Sequence, residues 1–413
     1  VENQANLIPN WPLAWNTIHS LAMPASATHL ALSELSANAV QSEILAMSVE
    51  CDRVHGINLA QGVCDTEVPS PVAEAAVGAI QGGQNIYTRL DGIAPLRAAI
   101  AEKMARYNKI ICDPETGVLV TSGATGAFHA ACMALFNPGD EVLLFEPFYG
   151  YHRNTLLSLR VRPVTVALEA PTWRLDLDRL KSSITPRTRA LVLNSPCNPS
   201  GKVFTRAELE GIAAVAEQHD LFVITDEMYE YFLCGAARHI SIASLHGMAG
   251  RTITISGFSK TFSVTGWRLG YLVADPQWIP AIGYFHDLTY VCAPAPLQHG
   301  AAAGLLALGD DFYRNLAREY EAKRDQLVDA LTAAGLTPSI PDGAYYILAD
   351  ASPLPGSTAK EKARALLARC GVAAVAGTAF FSGGRGENLL RFCYAKKSAA
   401  LAEACQRLRD WKS

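Results

Sequence analysis

The chain has 413 residues, half of them hydrophobic and 18% charged, which supports a large packed core and excludes global disorder. With 35 basic against 39 acidic residues its formal net charge is -4, so the basic surplus usual in nucleic-acid-binding proteins is missing. Its ten cysteines include no CxxC pair and its ten histidines no HExxH or HxxxH, so no zinc site is indicated, and scattered cysteines fit a reducing cytoplasm better than a disulfide scaffold.

The opening stretch, VENQANLIPNWPLAWNTIHSLAMPASATH, has two tryptophans and three prolines but no clear period, and reads as an extension over residues 1–30. The first basic residue is Arg53, so the basic start of a secretory signal is missing. No apolar run approaches the length of a membrane span. Residues 31–58 are expected to pack with a smaller C-terminal domain over 301–413, and residues 59–300 to form a large domain. Within the large domain, short β-rich runs alternate with amphipathic stretches. The expected strands are VLVTS (118–122), EVLLF (141–145), VRPVTVAL (161–168), ALVLNS (190–195), LFVITD (221–226), TITIS (252–256) and LGYLVA (269–274). Several are nearly all apolar, as parallel strands are when both faces are buried. Asn137-Pro138-Gly139-Asp140 has strong turn chemistry. Thr205-Arg206-Ala207-Glu208 is a capping box, and it opens a helix with Leu209, Ile212, Ala213 and Ala216 on one face. Repeated strand–helix–strand units imply an α/β domain with a mostly parallel sheet. After residue 300 a long helix is expected through DDFYRNLAREYEAKRDQLVDALTAAG. The strands AYYILAD (344–350) and LLRFCYA (389–395) follow, with the helix KEKARALLARCG between them, which reads as α+β.

In such sheets ligands bind beyond the carboxyl ends of the strands. After the first strand comes Gly123-Ala124-Thr125-Gly126, small residues that let backbone N–H groups reach a phosphate at a helix start. After 190–195 comes Pro196-Cys197-Asn198-Pro199-Ser200-Gly201, and Asp226-Glu227-Met228-Tyr229 closes the next. After 252–256 come Lys260 and Arg268. Four loops thus offer a phosphate cradle, an amide, a carboxylate with a phenol, and an amine with a guanidinium. That set suits a small phosphorylated aromatic cofactor with a ring nitrogen and a carbonyl that an amine can bond.

These stretches also resemble a known family. SGFSKTFSVTGWRLGY (256–271) is similar to the lysine signature of the class I and II aminotransferases, enzymes that use pyridoxal 5'-phosphate on the fold type I scaffold. YTRLDGIAPLR (87–97), EPFYGY (146–151), SPCNPSG (195–201), DEMYE (226–230), PDGAYY (341–346) and LRFCYA (390–395) resemble members of the same set in the same order. The resemblance spans nearly the whole chain, and it implies a three-layer large domain around a mostly parallel seven-stranded sheet, plus a smaller α+β domain. It implies that Lys260 is the Schiff-base lysine and proton shuttle, and Asp226 the partner of the pyridinium nitrogen. Asn198 and Tyr229 would hydrogen-bond the ring oxygen. Gly123, Ala124, Thr125, Ser259 and Arg268 would hold the phosphate, and Tyr149 would stack on the ring. Arg391 resembles the arginine that grips the substrate α-carboxylate as a two-pronged clamp, and Gly62, with Asn198, lines the substrate pocket. Tyr87 resembles the tyrosine that reaches the phosphate of the neighbouring subunit, which implies a homodimer with shared sites. Three departures stand out. Gly257 replaces a frequent serine three residues before Lys260, Cys197 stands where asparagine is frequent, and GVCDTEV (62–68) replaces a GFPDF-like stretch near the substrate.

The implied activity moves the amino group of an L-amino acid to a 2-oxo acid. No second arginine is evident for a side-chain carboxylate, so the expected donor is neutral or aromatic, such as glutamine, methionine or kynurenine. The same scaffold hosts carbon–sulfur β-lyases, which the lysine signature does not separate from transaminases. TSGATGAF is also compatible with a dinucleotide-binding turn, but it does not open its domain and no YxxxK pair occurs anywhere. A cofactor-holding regulator would need a DNA-binding domain, for which the first 30 residues are too short.

Overall fold

The structure, a computed structural model, describes residues 32–37 and 42–411. The extension expected over 1–30 lies outside the described residues. The chain divides into two units, Val1–Val40 and Gln41–Ser413. The described part of the first is a short helix, Glu34–Ala37.

The second unit carries the sheets. Seven strands form the larger one: β1 (Val118–Thr121), β2 (Glu141–Glu146), β3 (Arg162–Ala167), β4 (Thr188–Asn194), β5 (Phe222–Asp226), β6 (Thr252–Gly257) and β7 (Gly270–Val273). Each corresponds to one of the seven runs expected from the sequence. Their order across the sheet is β1-β7-β6-β5-β4-β2-β3. Strands β2 to β6 pair in parallel. Strand β7 is antiparallel to both β1 and β6, so β1 shares the direction of the rest.

The apolar runs at the centres of these strands have their cause in a three-layer build. Along β2, Val142 and Leu144 enter one apolar layer while Leu143 and Phe145 enter the other, as the two-residue period of a strand requires. The helix Gly123–Leu135 packs Ala127, Phe128 and Ala131 into the first layer. The helix Arg206–Gln218 packs Leu209, Ile212 and Ala216 into the second. Its capping box forms as expected: Glu208 N donates to Thr205 Oγ1 and Thr205 N to Glu208 Oε2. On that second side, Leu96 and Ile100 of the helix Ala94–Lys103 cover β1 and β7 through Val118, Val120 and Tyr271.

A four-stranded antiparallel sheet follows, ordered Val375–Ala376, Leu389–Cys393, Tyr346–Asp350 and Thr337–Pro338. The helices Asp310–Ala333, Ala359–Cys370 and Ser398–Asp410 accompany it. Met47 and Cys51 of the helix Glu43–Arg53 enter the same apolar cluster as Ile347 and Phe392 of this sheet. Ile57–Asn58 pairs in parallel with Val372–Ala373. Among the described residues no helix is long and apolar enough to cross a membrane.

Register sets up the site. Asn194, the last residue of β4, lies opposite Asp226, the last of β5, and Asp226 lies opposite Ile255 near the end of β6. The loops after β1, β4, β5 and β6 therefore leave from one edge of the sheet.

Candidate active site

Those loops meet in a cavity of about 570 Å³, within the size range of small-molecule sites. Gly62, Ala124, Thr125, Tyr149, Asn198, Asp226, Tyr229, Ser259, Lys260, Arg268 and Arg391 all line it. Eleven of the thirteen residues singled out from the sequence thus share one space, although they span more than three hundred positions.

The twelfth, Gly123, stands just behind the wall. Its φ is +71°, and a Cβ there would lie 2.7 Å from Arg268 Nη2. A side chain is excluded twice over, by backbone conformation and by the guanidinium. Arg268 is itself left-handed, with φ 52°, and its Nη1 donates to Thr265 O at 3.0 Å. The start of the helix Gly123–Leu135, Arg268 and Ser259 therefore make an electropositive end of the cavity. The thirteenth, Tyr87, is 79% exposed and does not line this cavity.

Asp226 is buried, and its two oxygens have different partners. Oδ1 accepts from Met228 N at 3.1 Å, while Oδ2 lies 3.1 Å from His152 Nε2. Its backbone oxygen accepts from Ser195 N and from Asn194 Nδ2, both at 3.1 Å. Asn194 Oδ1 in turn accepts from Asn198 N at 2.8 Å, so one amide ties the β4 loop to the β5 loop. The Tyr229 hydroxyl meets that of Tyr346 at 3.0 Å. Burial pushes the Tyr229 phenol well above its usual range, with Tyr346 adding to the shift, so it keeps its proton and can donate.

Lys260 Nζ donates to Gly62 O at 3.0 Å and sits 5.9 Å over the Tyr345 ring. Burial lowers its pKa from 10.5, and the guanidinium groups of Arg268 and Arg391 lower it further. The amine is thus biased toward its neutral, nucleophilic form. Arg391 is 1% exposed and lies between the rings of Tyr346 and Phe380, 4.4 and 4.8 Å from their centroids. Its Nη1 donates to Asn198 Oδ1 at 2.9 Å and its Nη2 to Ala60 O, while Nε is buried without a partner.

Three further residues of the site, His152, Asn194 and Tyr346, are not singled out by the sequence. His152 lies one helical turn past Tyr149, in the helix Gly150–Ser158, and packs edge-on to the Tyr149 ring with centroids 5.2 Å apart. Its signal was a histidine on the cavity face of an otherwise unremarkable helix start. Asn194 gave a weaker one, as the only amide in an apolar strand. Tyr346 stood inside the quoted PDGAYY motif without a role.

A phosphorylated pyridine fits these residues. The missing Cβ on Gly123 seats the Arg268 guanidinium beside the start of the helix Gly123–Leu135, and the two together suit a phosphate. The carboxylate of Asp226 and the amine of Lys260 both open to the same cavity, one suited to a ring nitrogen and the other to a carbonyl carbon.

Comparison with known proteins agrees. Residues 54–408 match the model of the family described as aminotransferase class I and II. The chain is 39% identical over 373 residues to a probable N-succinyldiaminopimelate aminotransferase of Mycobacterium tuberculosis strain H37Rv, covering 88% of this chain and 94% of the relative. A solved structure of N-succinyldiaminopimelate aminotransferase from Mycobacterium tuberculosis superposes with a TM-score of 0.89 at 38% identity, covering 92% of this chain and 100% of that one. An aspartate aminotransferase of Pyrococcus abyssi is 38% identical, over 85% of this chain and 90% of its own. An aromatic-amino-acid aminotransferase of Thermococcus litoralis is 36% identical, over 92% and 97%. The chain therefore belongs to the class I and II aminotransferases, enzymes of fold type I that depend on pyridoxal phosphate.

Proposed function

We propose that this aminotransferase takes an L-amino acid with a neutral or aromatic side chain as its donor. One observation carries the reading. Among the described residues lining the cavity the only arginines are Arg268, at the electropositive end, and Arg391. With Arg391 engaged by an α-carboxylate, the described residues of this chain leave no guanidinium for a second one, and Ile44, Leu45, Val63, Phe128 and Tyr151 give the wall an apolar and aromatic character. The elimination chemistry weighed from the sequence finds no counterpart in the relatives above, all three of which carry aminotransferase names.

In this reading the residues divide the work as follows. When bound, pyridoxal phosphate supplies an electron-withdrawing ring that makes the donor's Cα–H bond acidic enough to break near neutral pH. Asp226 holds a proton on the ring nitrogen, and His152 keeps the carboxylate aimed. Asn198 and Tyr229 donate to the ring oxygen, and Tyr149 covers the ring face. Gly123, Ala124, Thr125, Ser259 and Arg268 fix the phosphate. Arg391 grips the α-carboxylate, which gives its orphaned Nε a partner. With its α-carboxylate held by Arg391, the donor would present its Cα–H to the Lys260 amine, which would take the proton and later return one.

A donor panel with a common 2-oxo acid tests this. Methionine, phenylalanine, kynurenine or glutamine should exceed aspartate in kcat/KM by at least about tenfold, the scale on which an apolar pocket discriminates. Arg391→Leu should lower kcat/KM for every donor alike, by roughly 100-fold, because all share the α-carboxylate. A preference for aspartate or N-succinyldiaminopimelate would overturn the donor assignment. Pyruvate and ammonia released from cystathionine without amino transfer would assign elimination instead.

We also propose a homodimer in which Tyr87 serves the partner's site. Its exposure supports this, as does that of Ile86, Tyr284 and Leu288, at 80%, 60% and 66%. Apolar groups this open are typical of surface that a partner covers. Sedimentation at micromolar concentration should give twice the 44.3 kDa chain mass, and a monomer that is fully active would sink the proposal. All ten cysteines are free, which supports a reducing compartment such as the cytoplasm.

A further inference from the structure

We propose that Glu227 and Glu230 are positioning residues: through a buried network with Lys103, Asn108 and His239 they fix the turn that aims Asp226 and Tyr229 into the cavity. The inference rests on the roles proposed above for Asp226 and Tyr229.

Along β5, Ile224 belongs to the layer beneath the helix Gly123–Leu135, and Val223 to the opposite layer. Asp226, two residues past Ile224, opens on the first side, toward His152. Glu227 goes to the other, where Thr225 Oγ1 reaches its Oε1 at 3.2 Å. Glu227 N still donates to Ile255 O at 2.8 Å, so the strand ladder extends one residue past Asp226. Two site residues and two glutamates thus interleave within Asp226–Glu230. The site residues face the cavity, and the glutamates hold the chain from behind.

The hold is dense. Glu227 Oε1 also accepts from Ser241 Oγ at 2.6 Å, and Oε2 accepts from Asn108 Nδ2 at 3.0 Å and meets His239 Nε2 at 2.8 Å. Glu230 Oε1 lies 2.6 Å from Lys103 Nζ and accepts from Ser256 Oγ at 2.9 Å, while Oε2 accepts from Asn108 Nδ2 at 2.8 Å. Lys103 Nζ donates further to Asn108 Oδ1 at 2.8 Å and Tyr271 OH at 3.1 Å. Tyr107 OH closes the backbone side by donating to Glu230 O at 2.7 Å. Lys103, Glu227 and Glu230 are 4%, 1% and 2% exposed.

Glu227, Glu230 and His239 bring ligand atoms within 4.8 Å of one another, a set that would suit a cation. The Lys103 ammonium already occupies that role beside Glu230. Nor is stability a sufficient reason for such a cluster, because apolar replacements of similar volume often fold as well or better. Its value lies in geometry: a group tied at four or five points leaves the adjoining peptide one orientation, and Asp226 hangs on that peptide.

Three holoenzyme variants test the inference: Glu227→Gln, Ser241→Ala, and Lys103→Met combined with Glu230→Leu, which removes the ion pair without stranding a charge. In Glu227→Gln and the paired variant kcat should fall roughly 10- to 100-fold, with KM for the amino donor within about twofold, as for a small misplacement of reacting groups. The pH at which the bound cofactor's visible absorbance changes should shift, and the cofactor dissociation constant should rise. Ser241→Ala should show the same pattern more weakly. If the folded variants lose only melting temperature, with kcat per loaded site and the absorbance transition unmoved, the network is structural and the inference is overturned. Should Glu227→Gln fail to fold, the other two variants decide by the same readouts. Asp226→Asn, measured alongside, separates this inference from the reading beneath it. An unmoved transition in Asp226→Asn defeats the role of Asp226. A transition moved there, but unmoved in Glu227→Gln and the paired variant, defeats only the positioning claim.

Discussion

Lys260→Ala is expected to retain pyridoxal phosphate non-covalently and to lose about 10,000-fold or more in kcat, since both a covalent anchor and a general base go with one amine. The phosphate cradle proposed around Gly123 and Arg268 does not involve Lys260, so binding should weaken without vanishing. Among the described residues no second lysine lines the cavity to replace it. Two measurements check the claim. Borohydride reduction and digestion of the wild-type enzyme should place the pyridoxyl label on the peptide holding residues 256–268, and Lys260→Ala should lack both label and turnover. Full activity in that variant would remove the mechanism at its root. A stability corollary follows from the lowered pKa, whose first cause is burial. The folded state opposes protonation of this amine, so below its folded pKa the lysine destabilises the cofactor-free fold. Lys260→Met should therefore raise the unfolding midpoint of the cofactor-free enzyme near neutral pH. The gain should fade as pH climbs through the folded pKa toward 10.5, where the unfolded lysine also gives up its proton. A midpoint that is lowered instead would show that burial does not depress the pKa of this amine.

How much of this was legible beforehand depended on whether the signal was local. The strands of the large sheet could be read because burial on both faces makes them apolar, and the helix at 206 because a capping box is a four-residue device. The direction of β7 could not, since Gly270–Val273 has the same composition whichever way it runs. That Lys260, Asp226 and Arg391 would meet in one cavity was readable through motif order. His152 and Asn194 were not, because their meaning lies in a neighbour brought up by the sheet register. Lys103 is the clearest case. In the helix Ala94–Lys103 it looks like an ordinary solvated charge, yet the fold buries it against Glu230, 127 positions away. Charges paired across such distances leave no periodicity in the chain.

Asp226→Asn is expected to cost about 100- to 1,000-fold in kcat, the range seen when one preorganised electrostatic partner of a transition state is removed. The substitution discriminates because aspartate at this position has a bland alternative. Its Oδ1 accepts from Met228 N, two residues on, a local turn bond that asparagine makes as well. If that bond were its purpose, Asn would be nearly silent. The other oxygen tells against this. Oδ2 faces His152 Nε2 at 3.1 Å, at the wall of the cavity, and only a carboxylate there would hold the positive charge of the ring nitrogen proposed to lie against it. The amide keeps the turn and the volume and gives up the charge, so its effect isolates electrostatics from folding. His152→Phe should then cost less, roughly tenfold, because it frees the carboxylate without removing it, and the ring still packs on Phe128 and Tyr149. In the double variant the loss should equal that of Asp226→Asn alone: with no carboxylate to aim, the imidazole has nothing left to do. Losses that multiply instead would show that His152 acts on the reaction independently, and the chain of support drawn here from His152 through Asp226 to the ring would be broken.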